Sequence, residues 1–154
     1  EGRKAIAVLT NEDNSIKGTI NFTQAGVGQE VKVTGSISGL SVGEHGFHIH
    51  AKGDITGKCT GAAGHFNPEN KTHGSPNDTD RHVGDLGNIN TTSTDLTVVD
   101  ITDRIISLYG AHNIIGRAVV VHENRDDLGL GNHSSSSTTG NAGGRLACGV
   151  IGIQ

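Results

Sequence analysis

No stretch of this chain carries a convincing helical period, whereas short runs with strand character recur along its whole length. Residues 5–10 form a short apolar run, and residues 16–22 and 30–37 alternate. In the third run Val31, Val33 and Ile37 share one face, and Lys32, Thr34 and Ser36 share the other. Further runs cover residues 44–50, 82–90, 95–101, 116–122 and 145–152. Turn clusters such as Asn11-Glu12-Asp13-Asn14 and Ala25-Gly26-Val27-Gly28 separate them. Eight short strands joined by polar, Gly-rich turns predict an all-β fold, an antiparallel barrel or sandwich. Residues 124–128 leave room for a short helical turn and no more.

Length sets the scale of this fold. A chain of 154 residues suits one domain spanning 1–154, large enough to bury most of its surface without a metal or a crosslink. With no Met, no Trp and one Tyr, the core must rest on Val, Ile, Leu and Ala. The 24 glycines follow no three-residue period, which excludes collagen. No apolar run is long enough for a membrane-crossing helix. A net charge of -4 argues against a nucleic-acid partner, which would call for a basic face.

The two cysteines, Cys59 and Cys148, allow either one disulfide or two buried thiols. Cys59 lies among Gly, Lys and Thr, which reads as an exposed loop and favours the bridge. A bridge between these positions would contribute roughly 4 to 5 kcal/mol on the chain-entropy account. The chain opens on Glu1 rather than Met, which fits either removal of a signal peptide or a renumbered start. Five N-x-[ST] sequons, at Asn21, Asn70, Asn77, Asn90 and Asn132, point the same way. The expectation is a secreted protein, with a cytoplasmic one as the alternative.

Two loops are long, residues 51–81 and 123–144, and long ordered loops are usually functional. Histidines gather in and around them. His48 and His50 stand one residue apart on a strand, so both rings reach the same side while Phe47 and Ile49 face the other way. His65, His73, His82 and Asp85 supply three imidazoles and a carboxylate, a set that suits a closed zinc site. His82 and Asp85 are expected to straddle the start of a strand. His122 ends the run Ala118-Val119-Val120-Val121 and faces the second long loop. Nitrogen ligands suit copper and zinc, and the lack of spare thiolates argues against an iron–sulfur cluster.

At this point the sequence resembles the copper–zinc superoxide dismutase family. The resemblance rests on Gly46-Phe47-His48-Ile49-His50, Gly64-His65-Phe66-Asn67-Pro68, residues 81–88 and residues 140–151, and it extends from about Lys4 to Ile153. It implies an eight-stranded antiparallel Greek-key barrel, a fold class for which this family is a standard example. It also implies copper held by His48, His50, His65 and His122, and zinc held by His65, His73, His82 and Asp85. Asp126 would link His48 to His73 from behind the ligands. Cys59 and Cys148 would form the disulfide.

The implied activity is dismutation of superoxide to oxygen and hydrogen peroxide, an antioxidant defence. Superoxide would reduce and then reoxidise copper, with His65 giving a proton in the second half-reaction and Arg145 guiding the anion. The implied partners are superoxide, a second copy in a homodimer, and a copper chaperone for metal loading. Two competing readings, a catalytically silent metal-delivery protein and a zinc-only site, fit poorly with a full set of ligands plus Arg145.

The chain departs from the family pattern around the site. Ser134, Ser135, Thr138, Asn124 and Leu130 stand where many relatives carry charges. Steering of the anion by charge is a well-known device of this family, so weaker steering is expected here, with Arg145 and Arg125 as the attractors. Lys52 stands near the family's dimer contact, where a large apolar residue is common. Of the remaining histidines, His45 reads as structural, and His112 and His133 read as solvated.

Overall fold

The structure is a computed structural model and describes residues 2–93 and 95–154. Its strands are β1 (Arg3–Thr10), β2 (Lys17–Gln24), β3 (Val31–Ser38), β4 (Gly43–His50), β5 (Asp85–Thr91), β6 (Thr97–Asp103), β7 (Ala118–His122) and β8 (Arg145–Ile153). They form one antiparallel sheet in the order β5-β4-β7-β8-β1-β2-β3-β6. The terminal strands come together where Thr91 Oγ1 meets Thr97 Oγ1 at 2.8 Å, so the sheet curls into a nearly closed barrel. Among the described residues no helix is long and apolar enough to cross a membrane.

Alternation explains which residues enter the barrel. Ala5, Ala7 and Leu9 of β1, Ile20 and Phe22 of β2, and Val31, Val33 and Ile37 of β3 are buried, and most of the residues between them are wholly or partly exposed. Phe47 and Ile49 of β4 join the same cluster with Val119, Val121, Ala147 and Ile151. The core is therefore aliphatic with few aromatics, as the composition predicts. A disulfide between Cys59 and Cys148 ties the loop after β4 to β8.

Two local expectations are corrected. β5 starts at Asp85, not at residue 82, because the Asp85 amide donates to the His82 carbonyl at 3.1 Å and closes a turn ahead of the strand. The helical turn, α1, lies at Ser136–Thr139 rather than at 124–128. It ends at Gly140, whose φ of 71° is the left-handed conformation that glycine adopts without strain.

Candidate metal centre

β4 brings the first two histidines together. His48 and His50 leave the strand on the face opposite Phe47 and Ile49, and all four side chains are buried. The β4–β5 register shifts between Gly46 and His48, and the β7–β8 register shifts between Val121 and His122. Such irregularities re-aim side chains beside sites. The loop after β4 returns alongside it, so that His65 bridges to His50. As a result His48, His50, His65 and His122 place one nitrogen each within 4.8 Å of one another. His65, His73, His82 and Asp85 do the same with one atom each, so His65 belongs to both groups.

Each outward-facing ring nitrogen is committed elsewhere. His50 Nδ1 donates to the Ala63 carbonyl at 2.7 Å, and His122 Nδ1 donates to the Gly143 carbonyl at 3.1 Å. Their Nε2 atoms are left facing each other at 3.2 Å. His48 Nε2 donates to Asp126 at 2.6 Å, which leaves its Nδ1 inward. His48 Nδ1 and His65 Nε2 are buried and have no protein partner. Buried nitrogens are rarely left so. Lone pairs converging on one point from buried neutral rings fit a soft or borderline cation.

The second group shows the same signature. Asp85 Oδ1 lies 2.9 Å from His65 Nδ1, 3.0 Å from His73 Nδ1 and 3.1 Å from His82 Nδ1. His73 Nδ1 nevertheless makes no aligned hydrogen bond. His65 and His82 reach Asp85 with hydrogen-bond geometry and His73 does not, so one inward nitrogen of this group is left without a protein partner. Asp85 Oδ2 is held from behind by the amides of Gly74 at 3.1 Å and His82 at 2.8 Å. Three imidazoles and one carboxylate fit tetrahedral zinc.

Asp126 sits behind both groups. It is fully buried and accepts from His48 Nε2 at 2.6 Å and from His73 Nε2 at 2.7 Å. Asn88 holds its backbone in place, accepting from the Asp126 amide at 2.7 Å and donating to its carbonyl at 2.9 Å. A Cβ at Gly140 would fall within the Asp126 carboxylate and 2.5 Å from His73 Nε2, so this position requires glycine for space as well as conformation.

Electrostatics divides the histidines. Burial, with the neighbouring rings, pushes His48 and His50 well below the ordinary imidazole range and His122 to about 4. Burial also pulls on His73, but Asp126 and Asp85 outweigh it and raise that ring to about 9. The two carboxylates resist burial through their hydrogen bonds with histidines and stay well below their usual range. In the metal-free protein at neutral pH, His73 therefore holds a proton that a metal must displace. Zinc added at pH 7 is expected to release about one proton from this ring. Calorimetry in buffers of different ionisation heat will measure it. No release would place the neutral ring, and not the imidazolium, in the metal-free site.

Arg145, at the start of β8, is half-buried. Its Nη1 donates to the Cys59 carbonyl at 2.7 Å and its Nη2 to the Ala63 carbonyl at 2.5 Å. The disulfide loop thus fixes the guanidinium, and the Ala63 carbonyl serves His50 as well. These carbonyls, like that of Gly143, carry no signal in the sequence.

Several peripheral readings change or gain detail. His45 is structural as expected, with its ring nitrogens 2.8 Å from the carbonyls of His122 and Ser41. His112 is partly exposed, and its ring also contacts Ile105 and Glu69. His133 is exposed, and its Nδ1 accepts from the Ser135 amide. Arg125 lies 3.4 Å from Glu44, so its charge is compensated and it is not a free attractor.

Residues 16–151 match the family described as copper/zinc superoxide dismutase. The extracellular superoxide dismutase [Cu-Zn] of Drosophila melanogaster is 52% identical over 149 residues, covering 97% of this chain and 82% of the fly protein. The crystal structure of the clock protein EA4 shares 55% identity and a TM-score of 0.93, covering 99% of this chain and 95% of that one. With two histidine groups joined at one ring, and with these likenesses over nearly its whole length, the chain belongs to the copper/zinc superoxide dismutase family.

Proposed function

We propose that residues 1–154 form one domain that converts two superoxide anions and two protons into oxygen and hydrogen peroxide. Copper is assigned to His48, His50, His65 and His122, and zinc to His65, His73, His82 and Asp85. The observation that carries this reading is the position of His65 in both groups, with Nδ1 among the second group's ligand atoms and Nε2 buried and without a partner. Bound copper supplies one-electron chemistry, oxidising one superoxide and reducing the next.

The chain's own residues do the rest. His65 Nε2 is free to take a proton and release it to the reduced product, while contacts at Nδ1 keep the ring in place. Asp126 holds the rings of His48 and His73, and so links the two groups. Arg145 offers a fixed positive charge to the anion beside the copper group. Native metal content with visible and EPR spectra tests the assignment. Zinc alone, with no copper uptake and no dismutation, would overturn it.

Steering rests mainly on Arg145, because Glu44 compensates Arg125 and the loop over the site is rich in serine and threonine. Arg145→Ala is expected to lower kcat/KM by about tenfold. In the unsubstituted enzyme, kcat/KM should fall only shallowly between low salt and about 0.15 M ionic strength. A steep fall would mean that other charges direct the anion.

Secretion is supported by the extracellular fly relative, the five sequons and the formed disulfide. Mass spectrometry of native material for N-glycans and a processed N-terminus tests it, and an unmodified chain would argue for the cytoplasm. A homodimer is supported by the exposed apolar side chains Val150 and Ile153 on β8, with Ile153 lining a cleft beside Ile115. Sedimentation showing monomer alone would overturn that assignment. Loading by a copper chaperone is supported by the burial of the copper group's rings. Efficient metallation by free copper in chaperone-deficient cells would argue against it.

A further inference from the structure

The loop that carries His65, His73 and His82 is braced against residues 103–112 at two places. The deep brace is buried: Arg81 Nη1 pairs with Asp103 at 2.7 Å, while its other donors reach the carbonyls of His82 and Val83. The shallow brace is His112, in the 3-10 turn Gly110–His112, against Glu69 on the loop. Between them lies a cavity of about 500 Å³. Glu69 belongs to a preformed turn, because the Asn67 side chain donates to the Lys71 carbonyl at 2.9 Å and accepts from its amide at 3.0 Å. A tie at Glu69 therefore holds the turn as a unit, and that turn lies between His65 and His73.

Both ring nitrogens of His112 face an acceptor. Nδ1 lies 3.0 Å from the Ile105 carbonyl, and Nε2 lies 3.1 Å from the Glu69 carboxylate. A neutral imidazole has one N–H and so can satisfy only one of the two. Both bonds form only when the ring carries both protons, and the Glu69 bond is then charge-assisted. The other charged groups around the cavity are Lys71, Asp78 and Arg81 from the loop, and Asp103 and Arg104 from the facing segment. Arg81 and Asp103 pair with each other, Asp78 accepts from the Ser75 amide, and Arg104 lies 4.0 Å from Glu30. Glu69 is thus the carboxylate that answers His112.

We propose that His112 and Glu69 form a proton-dependent latch on the zinc-site loop, closed while His112 is protonated and open when it is neutral, and that opening speeds zinc exchange. This rests on the assignment of zinc to His65, His73, His82 and Asp85. The sign follows from the partner: protonation favours the closed latch, so the restraint is present at lower pH and lost as pH rises. Ligand protonation acts in the opposite direction, since it expels zinc as pH falls. The two effects can therefore be told apart.

The test uses the metal-loaded protein, with zinc release to excess chelator followed from about pH 6 to about pH 8, where histidine changes charge. Both side chains are partly exposed, so the expected difference between variant and unsubstituted rates at low pH is modest, about two- to threefold. E69Q and H112Q keep all four zinc ligands, so ligand protonation acts on them equally, and their rates should exceed the unsubstituted rate at about pH 6 and converge with it by about pH 8. In proton NMR of the same samples, the amides of the 67–71 turn should shift between about pH 6 and about pH 8 in the unsubstituted protein and stay unmoved in E69Q. A ratio of variant to unsubstituted release that stays constant across this range overturns the latch. So do turn amides that respond to pH alike in the unsubstituted protein and in E69Q. A preparation that binds no zinc would overturn the site assignment instead, and the response of the turn amides would still decide the latch.

Discussion

Asp126→Ala is expected to weaken zinc binding by about ten- to a hundredfold while leaving the barrel folded. Asp126 touches neither assigned metal position. Its two oxygens accept from His48 and His73, one ring from each group. Without it, each ring keeps a buried N–H with nothing to receive it, at a cost of about 1–3 kcal/mol per group. The rings can then turn to find water, and the inward nitrogens turn with them. Asp126→Asn should fall between, since one amide oxygen can serve only one ring well. Gly140→Ala should reproduce much of the loss from the other side, because the added methyl would occupy the space of the carboxylate. Chelator competition gives the affinities. Zinc binding of unchanged strength in Asp126→Ala would show that the ligand loops orient the rings unaided.

The second large effect concerns the crosslink. Replacing Cys59 and Cys148 by serine is expected to destabilise the fold by about 4 kcal/mol, because the bridge closes a loop of 89 residues. A further consequence reaches the site. Arg145 is held by the carbonyls of Cys59 and Ala63, both on the loop that the bridge pins to β8. Loss of the bridge should therefore lower kcat/KM in the same direction as Arg145→Ala, even at temperatures where the variant stays folded. Chemical denaturation reports the first effect and steady-state kinetics the second. A loss of stability under about 1 kcal/mol would mean that the unfolded chain is already compact around these residues.

The barrel was legible because alternation is a property of the strand itself. Val31, Val33 and Ile37 announce a buried face whatever they pair with. His48 and His50 were legible for the same reason, as were seven ligands spaced like a known family's. What stayed hidden depends on partners distant in sequence. Asp126 alone reads as a loop charge, and only its meeting with His48 and His73 makes it part of the centre. His112 reads as solvated until Glu69, 43 residues earlier, is brought beside it. Arg125 reads as an attractor until Glu44 is seen next to it. The turn at Ser136–Thr139 has no apolar period, and backbone bonds such as Gly140 N to Ser136 O hold it. The start of β5 was misplaced because the turn that precedes it runs from His82 to Asp85, whose polar side chains say nothing of backbone direction.

β4 has a consequence for how this protein can change over generations. From His45 to His50 every residue is buried, because one face of the strand fills the barrel and the other faces the metal groups. β1, β2 and β3 have no such second duty, and many of their residues face water. Substitution can accumulate on those outer faces at little cost, whereas a change between His45 and His50 meets either the core or the centre. From His45 to His50 the strand has no outward-facing position on which sequence can drift, so variation close to the centre is left to the loops, where Glu69, Leu130 and the serine tract lie.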